Sequence, residues 1–511
     1  MQTLDLIIIF GYLIGITAFG IWFAGKQKST EEYFVGDRSV PWWAIAMSIV
    51  ATETSTITFV SVPGVAFAKG GNFQFLQLVF GYMLGRVVIS LIFIPLYFKG
   101  ELQTVYQLLG ERFGTKVKML ASGLFIVMRN IADGIRLLLT AIVLAAVYTS
   151  FNPGSSSTTI IIGSIILLGI VMIVFTFYGG MEAVIWVEVV QLVIYIGGAI
   201  AAAVVLLQNI EGGLSSAVAF GLQAEKFDVF DFNLDFAKTY TFWGGLIGGC
   251  FLTMSTHGTD QYLVQRYLCT RKPASASTAL LTSGAVVLAQ FIGFLFIGAL
   301  LFAFYAPFNA PEYAQAGVAG SGVPGTFPFA KPDQVFPNFI TEHMPAGLSG
   351  LVVAAIFAAA LSSSLNSIAA TAINDLYKPF ARDVSDGHLL KLSGWLTVII
   401  GIVQICVAIA FMATGESALN LALSVASLFN GPVLGVFLVG TFLKKAKEIH
   451  ALAGMLASMS LMIYILLAFN SLVPGPRIAW PWYALIGSVT TFVIAFLATL
   501  VLSSDKNEVS N

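Results

Sequence analysis

Charge is what this sequence lacks most. Only 10% of its 511 residues are Asp, Glu, Lys or Arg, while 58% are hydrophobic; a soluble domain carries roughly 25% charged residues. With 25 basic and 26 acidic side chains the surface of so large a globule cannot be wetted, and lipid must meet much of it. A formal net charge of −1 leaves no basic excess to neutralise a phosphate backbone, which excludes a nucleic-acid partner. Cysteine is nearly absent: Cys250, Cys269 and Cys406 form no spaced pair, so neither a zinc ribbon nor a disulfide scaffold is indicated. Histidine numbers four, and His257 has no histidine neighbour in sequence, which argues against an enzyme built on clustered metal ligands. No polar stretch is long enough to house a soluble catalytic domain.

What the chain has is a succession of apolar runs. A helix needs about 20 residues to cross the hydrocarbon layer. Such runs occupy 4–24, 42–68, 73–97, 119–148, 158–178, 182–206, 243–263, 275–306, 345–373, 389–412, 418–442, 447–471 and 480–502. They predict an all-α membrane protein of about thirteen transmembrane helices, a single domain over 1–502 with a short cytoplasmic tail at 503–511. The first run lacks the basic start and small-residue cleavage site of a signal peptide and reads as a retained helix. With the N-terminus outside, internal segments hold seventeen Lys and Arg, whereas external ones hold five, Lys69, Lys226, Lys238, Lys331 and Arg477. That bias predicts N-terminus outside and C-terminus inside, a multi-pass protein of the plasma (inner) membrane. Arg86, Arg129 and Arg136 fall in or at the edge of predicted helices. The external segments 207–242 and 307–344 read as ordered caps.

Two runs carry polar residues where lipid would penalise them. In the first, which follows Pro41, the sequence TETST at 52–56 lies mid-span and includes Glu53. Polar residues there suit a cavity lined by loosened backbone, as in interrupted carrier helices; the alternative is Ser and Thr bonding back to their own helix. In the second, Ser362, Ser363, Ser364, Asn366 and Ser367 follow a stretch of alanines; tight packing explains the alanines but explains SSSLNS less well. Asp133 and Arg136, three apart, share a helical face. Either they neutralise each other, or Arg136 faces the cavity and binds a carboxylate or pairs with Glu53; arginine's planar fork suits carboxylates. Glu188 and Gln191 share a face of another span. His257, Asp260, Gln261 and Gln265 follow Thr253, Ser255 and Thr256; the upper part suits a substrate path, and Asp260 with Arg266 suits a helix anchor.

The segments EEYFVGDRSVPWWAIAMSIVAT, FYGGMEAVIWVEVVQ, GTDQYLVQRYL and SSSLNS followed by NDLYKP, in that order and spacing, resemble the sodium/solute symporter family of sodium–sugar, sodium–sialic acid and sodium–proline carriers. The resemblance covers roughly 1–470. It implies the inverted-repeat, leucine-carrier-like fold, with repeats at about 42–206 and 243–442. It also implies Na+ as coupling ion, bound between the first and eighth core helices, with carbonyls of Ala51 and Thr54 as ligands. Glu53, Ser55 and Thr58 match substrate-facing positions, and Thr253, Thr256 and His257 join them on the substrate path. Glu188 takes the place of an aspartate that serves a second sodium site in some members. Arg136 lies near the arginine that sialic acid carriers use for the substrate carboxylate. Anchored on the preceding alanines, the sodium hydroxyls are Ser362 and Ser363; anchored on LNS, those positions are Ala359 and Ala360, and the two serines match the second site.

The expected function is secondary active transport by alternating access, taking up a sugar, sialic acid or other organic acid with sodium. The partners are therefore a small solute, sodium and the bilayer, with the oligomeric state left open. A proton-coupled symporter using Glu53 or Glu188 is the alternative, and a non-transporting membrane sensor is one of another class.

Overall fold

The computed structural model describes residues 1–22, 34–36, 38–68, 70–100, 102–151, 157–178, 181–305, 332–361, 364–381, 384–413 and 418–504. Among these no strand occurs, and the helices α1 (Thr3–Trp22), α2 (Trp42–Glu53), α3 (Thr56–Phe67) and α4 (Leu76–Tyr97) open the chain. There follow α5 (Gln107–Phe113), α6 (Thr115–Phe151), α7 (Ser157–Tyr178), α8 (Met181–Asn209) and α9 (Gly213–Gln223). Next come α10 (Gly249–Gly258), α11 (Gln261–Leu268), α12 (Pro273–Tyr305), α13 (Val335–Glu342), α14 (Leu348–Leu361) and α15 (Leu365–Thr371). The last four are α16 (Asp386–Ala410), α17 (Ala418–Phe442), α18 (Glu448–Phe469) and α19 (Tyr483–Ser504). Every apolar run read from the sequence falls on one of these or on two that meet at a break. Among the described residues, eight helices are long and apolar enough to cross a membrane, nine with the bent pair α2–α3. Large apolar side chains such as Ile7, Leu91, Ile200, Trp395 and Val501 point outward, as a lipid-facing surface requires.

Three boundaries differ from the sequence reading. The run at 243–263 is not one helix: it begins with a π-helical turn (Gly244–Gly248) and ends at Gly258, and α11 starts anew at Gln261. Asp260 causes this, because its carboxylate accepts the Tyr262 N–H at 2.9 Å and caps a new helix. The caps also carry helices: α9 lies in the segment 207–242 and α13 in 307–344. At the far end α19 extends to Ser504, into the expected tail.

The break at TETST is real. Pro41 precedes the first helical residue of α2 with extended backbone. The helix stops at Glu53, Thr54 has ψ 52°, Ser55 is extended, and α3 departs at 58°. Thr52 and Thr54 hydroxyls bond back to Ser48 O (2.8 Å) and Val50 O (2.6 Å), so local back-bonding and a true interruption coexist.

Small residues and one lysine fix this broken helix among its neighbours. A Cβ on Gly81 of α4 would stand 2.3 Å from Gly245 O, and one on Gly85 would stand 2.7 Å from Cys250 O, so α4 and α10 touch backbone to backbone. The buried Lys226, beyond α9, reaches the C-terminal end of α3. Its Nζ donates toward Ala66 O (3.0 Å), Phe67 O (3.1 Å), Ala68 O (2.8 Å) and Gly71 O (3.0 Å), over the face of Phe302. The amine shares its N–H donors among carbonyls left orphaned at the helix end, and burial lowers its pKa to about 7.

Candidate functional site

A cavity of about 170 Å³ opens beside the break. One water needs roughly 10–15 Å³ on the same measure, so the space admits a small organic solute. Glu53 comes from the end of α2, Ser55 from the break, Thr58 from α3, Arg136 from α6, and Thr253, Thr256 and His257 from α10. All seven residues singled out in the sequence as solute-facing therefore line one space. Its apolar walls include Phe75, Phe291, Leu419 and Leu423.

The intramembrane charges are paired; Asp133 with Arg136 was read in the sequence, and the other combinations were not. Glu53 does not pair with Arg136. Its Oε1 accepts from Arg86 Nη2 of α4 and meets His257 Nε2 at 2.5 Å. Arg136 Nη1 stands 3.4 Å from Asp133 Oδ1, so it neutralises Asp133 and also faces the cavity; the two alternatives for this pair are compatible. Asp133 further accepts the Ser364 N–H at 3.0 Å and the Ser364 hydroxyl, which ties α6 to the start of α15.

Asp260 and Arg266 each tie α11 to a different helix. Asp260 binds Arg129 of α6, and Arg266 Nη2 donates to Glu188 Oε1 at 2.5 Å. Both members of the latter pair are wholly buried, and Ser48 and Thr52 hydroxyls complete the shell around Glu188. Glu188 is thus the counter-ion of Arg266, and it does not line the cavity. Arg266, counted in the sequence among the internal loop charges, is buried in the bundle. The ring of Tyr262 gathers the guanidinium groups of Arg129 at 4.6 Å, Arg136 at 5.9 Å and Arg266 at 4.5 Å.

The sodium candidates divide in two. Around the break, among the described residues, no backbone N–H reaches the carbonyls of Ala51, Thr52 or Thr54 across the interruption. Released carbonyl oxygens of this kind fit a hard monovalent cation. Thr56 Oγ1 donates to Ile356 O at 3.2 Å, which sets the start of α3 against α14. Ser362 and Ser363 lie outside the described residues, as do the side chains of Ala359 and Ala360.

Sequence reasoning missed Arg86, Arg129, Tyr262 and Gln290, whose Oε1 accepts from Thr54 Oγ1 at 2.8 Å. One signal was available: an arginine inside an apolar span is a functional candidate by default, and Arg86 and Arg129 were set aside as edge charges.

A model described as the Sodium:solute symporter family matches residues 33–458. The chain belongs to that family. This symporter is 30% identical to the Sodium/sialic acid symporter NanT of Aliivibrio fischeri, over 99% of its own length and 94% of that protein's. It is similar to the solved substrate-bound, outward-open state of a Na+-coupled sialic acid symporter, with TM-score 0.81 and 28% identity over 98% of each chain. A nucleobase-cation-symport-1 family transporter in a closed conformation shares the fold at TM-score 0.56 and 12% identity, over 94% of this chain and 96% of that one. The symporter accordingly has an all-α, multi-spanning, leucine-carrier-like fold. It is a sodium-coupled secondary active transporter of a small organic solute, and not an enzyme.

Proposed function

We propose that this symporter takes up a small organic acid of the sialic acid or sugar-acid kind, driven by sodium. The observation that carries this reading is Arg136 in the wall of a cavity whose other polar groups are hydroxyls, His257, Glu53 and Arg129, the last already paired with Asp260. A guanidinium fork binds a carboxylate in two-point fashion, and hydroxyls serve a polyhydroxy body. Similarity to sialic acid symporters supports the same class.

Sodium is bound by the carbonyls of Ala51 and Thr54 with the hydroxyls of Ser362 and Ser363, joining α2 to α14. Glu188, the candidate for a second sodium site, is the counter-ion of Arg266. Sodium drives the cycle only if it prefers one state of the bundle over the other; the membrane potential adds about 2.3 kcal/mol per charge per 100 mV. The apolar runs support thirteen spans in a single domain over 1–502, and the basic-residue bias supports the N-terminus outside and the C-terminus inside the plasma membrane. Family membership supports repeats at about 42–206 and 243–442. Proton coupling through Glu53 or Glu188 is disfavoured, because arginines hold both carboxylates as counter-ions.

The test is a thermal shift on purified protein, titrating sodium against matched potassium or choline, in parallel with Ser362→Ala/Ser363→Ala. A sodium-specific rise in melting temperature, lost in the double variant, is expected. N-acetylneuraminate should then add a further rise in sodium, absent in Arg136→Ala. A rise that tracks pH and ignores sodium would move the coupling ion to the proton.

A further inference from the structure

Glu53 faces the cavity, yet both of its protein partners converge on one oxygen. Arg86 and His257 meet at Oε1, while Oε2 receives no hydrogen bond among the described residues. The Glu53 side chain is 13% exposed and that of Arg86 is 0%. An ionised carboxylate has about four acceptor positions, so the outer oxygen keeps its full accepting capacity.

The inner half of this arrangement is built into the packing. A Cβ on Gly284 of α12 would lie 2.8 Å from Arg86 Cδ, so only glycine leaves the guanidinium its path. His257 Nδ1 stands 3.0 Å from Thr256 Oγ1, which orients the ring. Two groups on two helices therefore hold one oxygen still and turn the other toward the solute space.

We infer that Glu53 Oε2 is a specificity-determining acceptor that takes a hydroxyl or N–H hydrogen of the solute, with Arg86 and His257 as positioning residues acting through Oε1. This rests on the cavity being the solute site. A solute lacking a donor strips water from Oε2 and returns nothing, which a site built for a donor rejects strongly. With a carboxylate at Arg136, the solute class narrows to acids that carry a hydroxyl or amide N–H away from the carboxylate. Simple fatty acids fall outside it.

The test measures binding in sodium by titration calorimetry on the full-length protein, with gluconate, hexanoate and the uncharged polyol glucitol as probes. Gluconate is expected to bind at least about tenfold tighter than hexanoate, the scale of one hydrogen bond to a charged group. In Glu53→Gln the amide oxygen stays with Arg86 and His257 and the NH2 faces the cavity. The gluconate preference should then fall about tenfold while hexanoate affinity holds. Hexanoate binding as tightly as gluconate, or an unchanged preference in Glu53→Gln, overturns the inference.

His257→Gln, which keeps an N–H for Oε1, and His257→Leu, which does not, provide a second pair should Glu53→Gln fail to fold. Preference retained in the first and lost in the second supports positioning; equal preference in both overturns it. Binding of glucitol but of neither acid would remove the carboxylate reading and leave the Glu53 acceptor standing.

Discussion

Arg266 and Glu188 set the energetic stakes for single residues in this bundle. Both are fully buried, and removing one partner leaves the other as an uncompensated charge, at a cost of about 3–5 kcal/mol. Arg266→Gln should therefore lower the melting temperature sharply, and Glu188→Gln/Arg266→Gln should recover part of the loss; a double variant no better than the single one would contradict the pairing. Outside the membrane, Asp231 is held by Lys238 and by Asn233 N–H at 3.1 Å. The hydrogen bond from Lys238 keeps its carboxyl below the usual 3.8. A depressed folded value means the stabilisation is present above about pH 4 and is lost as pH falls through the folded value. Thermal stability of Asp231→Asn should accordingly vary less with pH than the wild type between pH 5 and the acid limit. At this scale the sequence revealed which residues were polar in an apolar setting, but not their partners. Arg86 meets Glu53 33 positions away and His257 171 away, and no local pattern encodes either separation.

Among the elements, the broken helix α2–α3 is the one most exposed to change, because its half-helices are held from outside. Lys226 supplies hydrogen-bond donors to four carbonyls at and just beyond the end of α3. Lys226→Met leaves them uncapped in a buried setting, and the expected result is a melting temperature lower by several degrees with weaker apparent solute affinity. An unchanged pair of values would show that water replaces the amine freely. Packing of α4 on α10 depends on glycine: Gly81→Val has no room beside Gly245 O, and loss of folded protein in size-exclusion chromatography is the expected outcome. The interruption at TETST was legible because five polar residues mid-span, Glu53 among them, suit a cavity better than lipid. The division at Asp260 was not, since an aspartate after HGT reads equally as a charge at a helix end until its carboxylate is seen capping Tyr262.

Taken as a whole, the molecule ties α11 to three other helices. Asp260 joins it to Arg129 of α6, Arg266 to Glu188 of α8, and Gln265 to Ser367 of α15 at 2.6 Å. If these ties gate alternating access, they part together when the cavity opens past α11. Cys269, buried just beyond α11, is a native reporter. In a Cys406→Ser background, Arg129→Gln should raise the rate of Cys269 labelling by a soluble thiol reagent severalfold, and sodium should suppress the rise; a rate equal to the parent's would mean the ties do not gate access past α11. Composition and hydrophobic run length determined by themselves that the chain lives in lipid, that it is helical, and where its helices are polar, because a bilayer penalises each misplaced charge regardless of what surrounds it. The order of four short motifs carried the family. Only the tertiary structure decided which charge answers which, that Glu53 turns to Arg86 and His257 rather than to Arg136, and that seven separated residues share one cavity. Partner choice depends on helix rotation and approach across the bundle, and those are set by packing between segments that lie far apart in the chain.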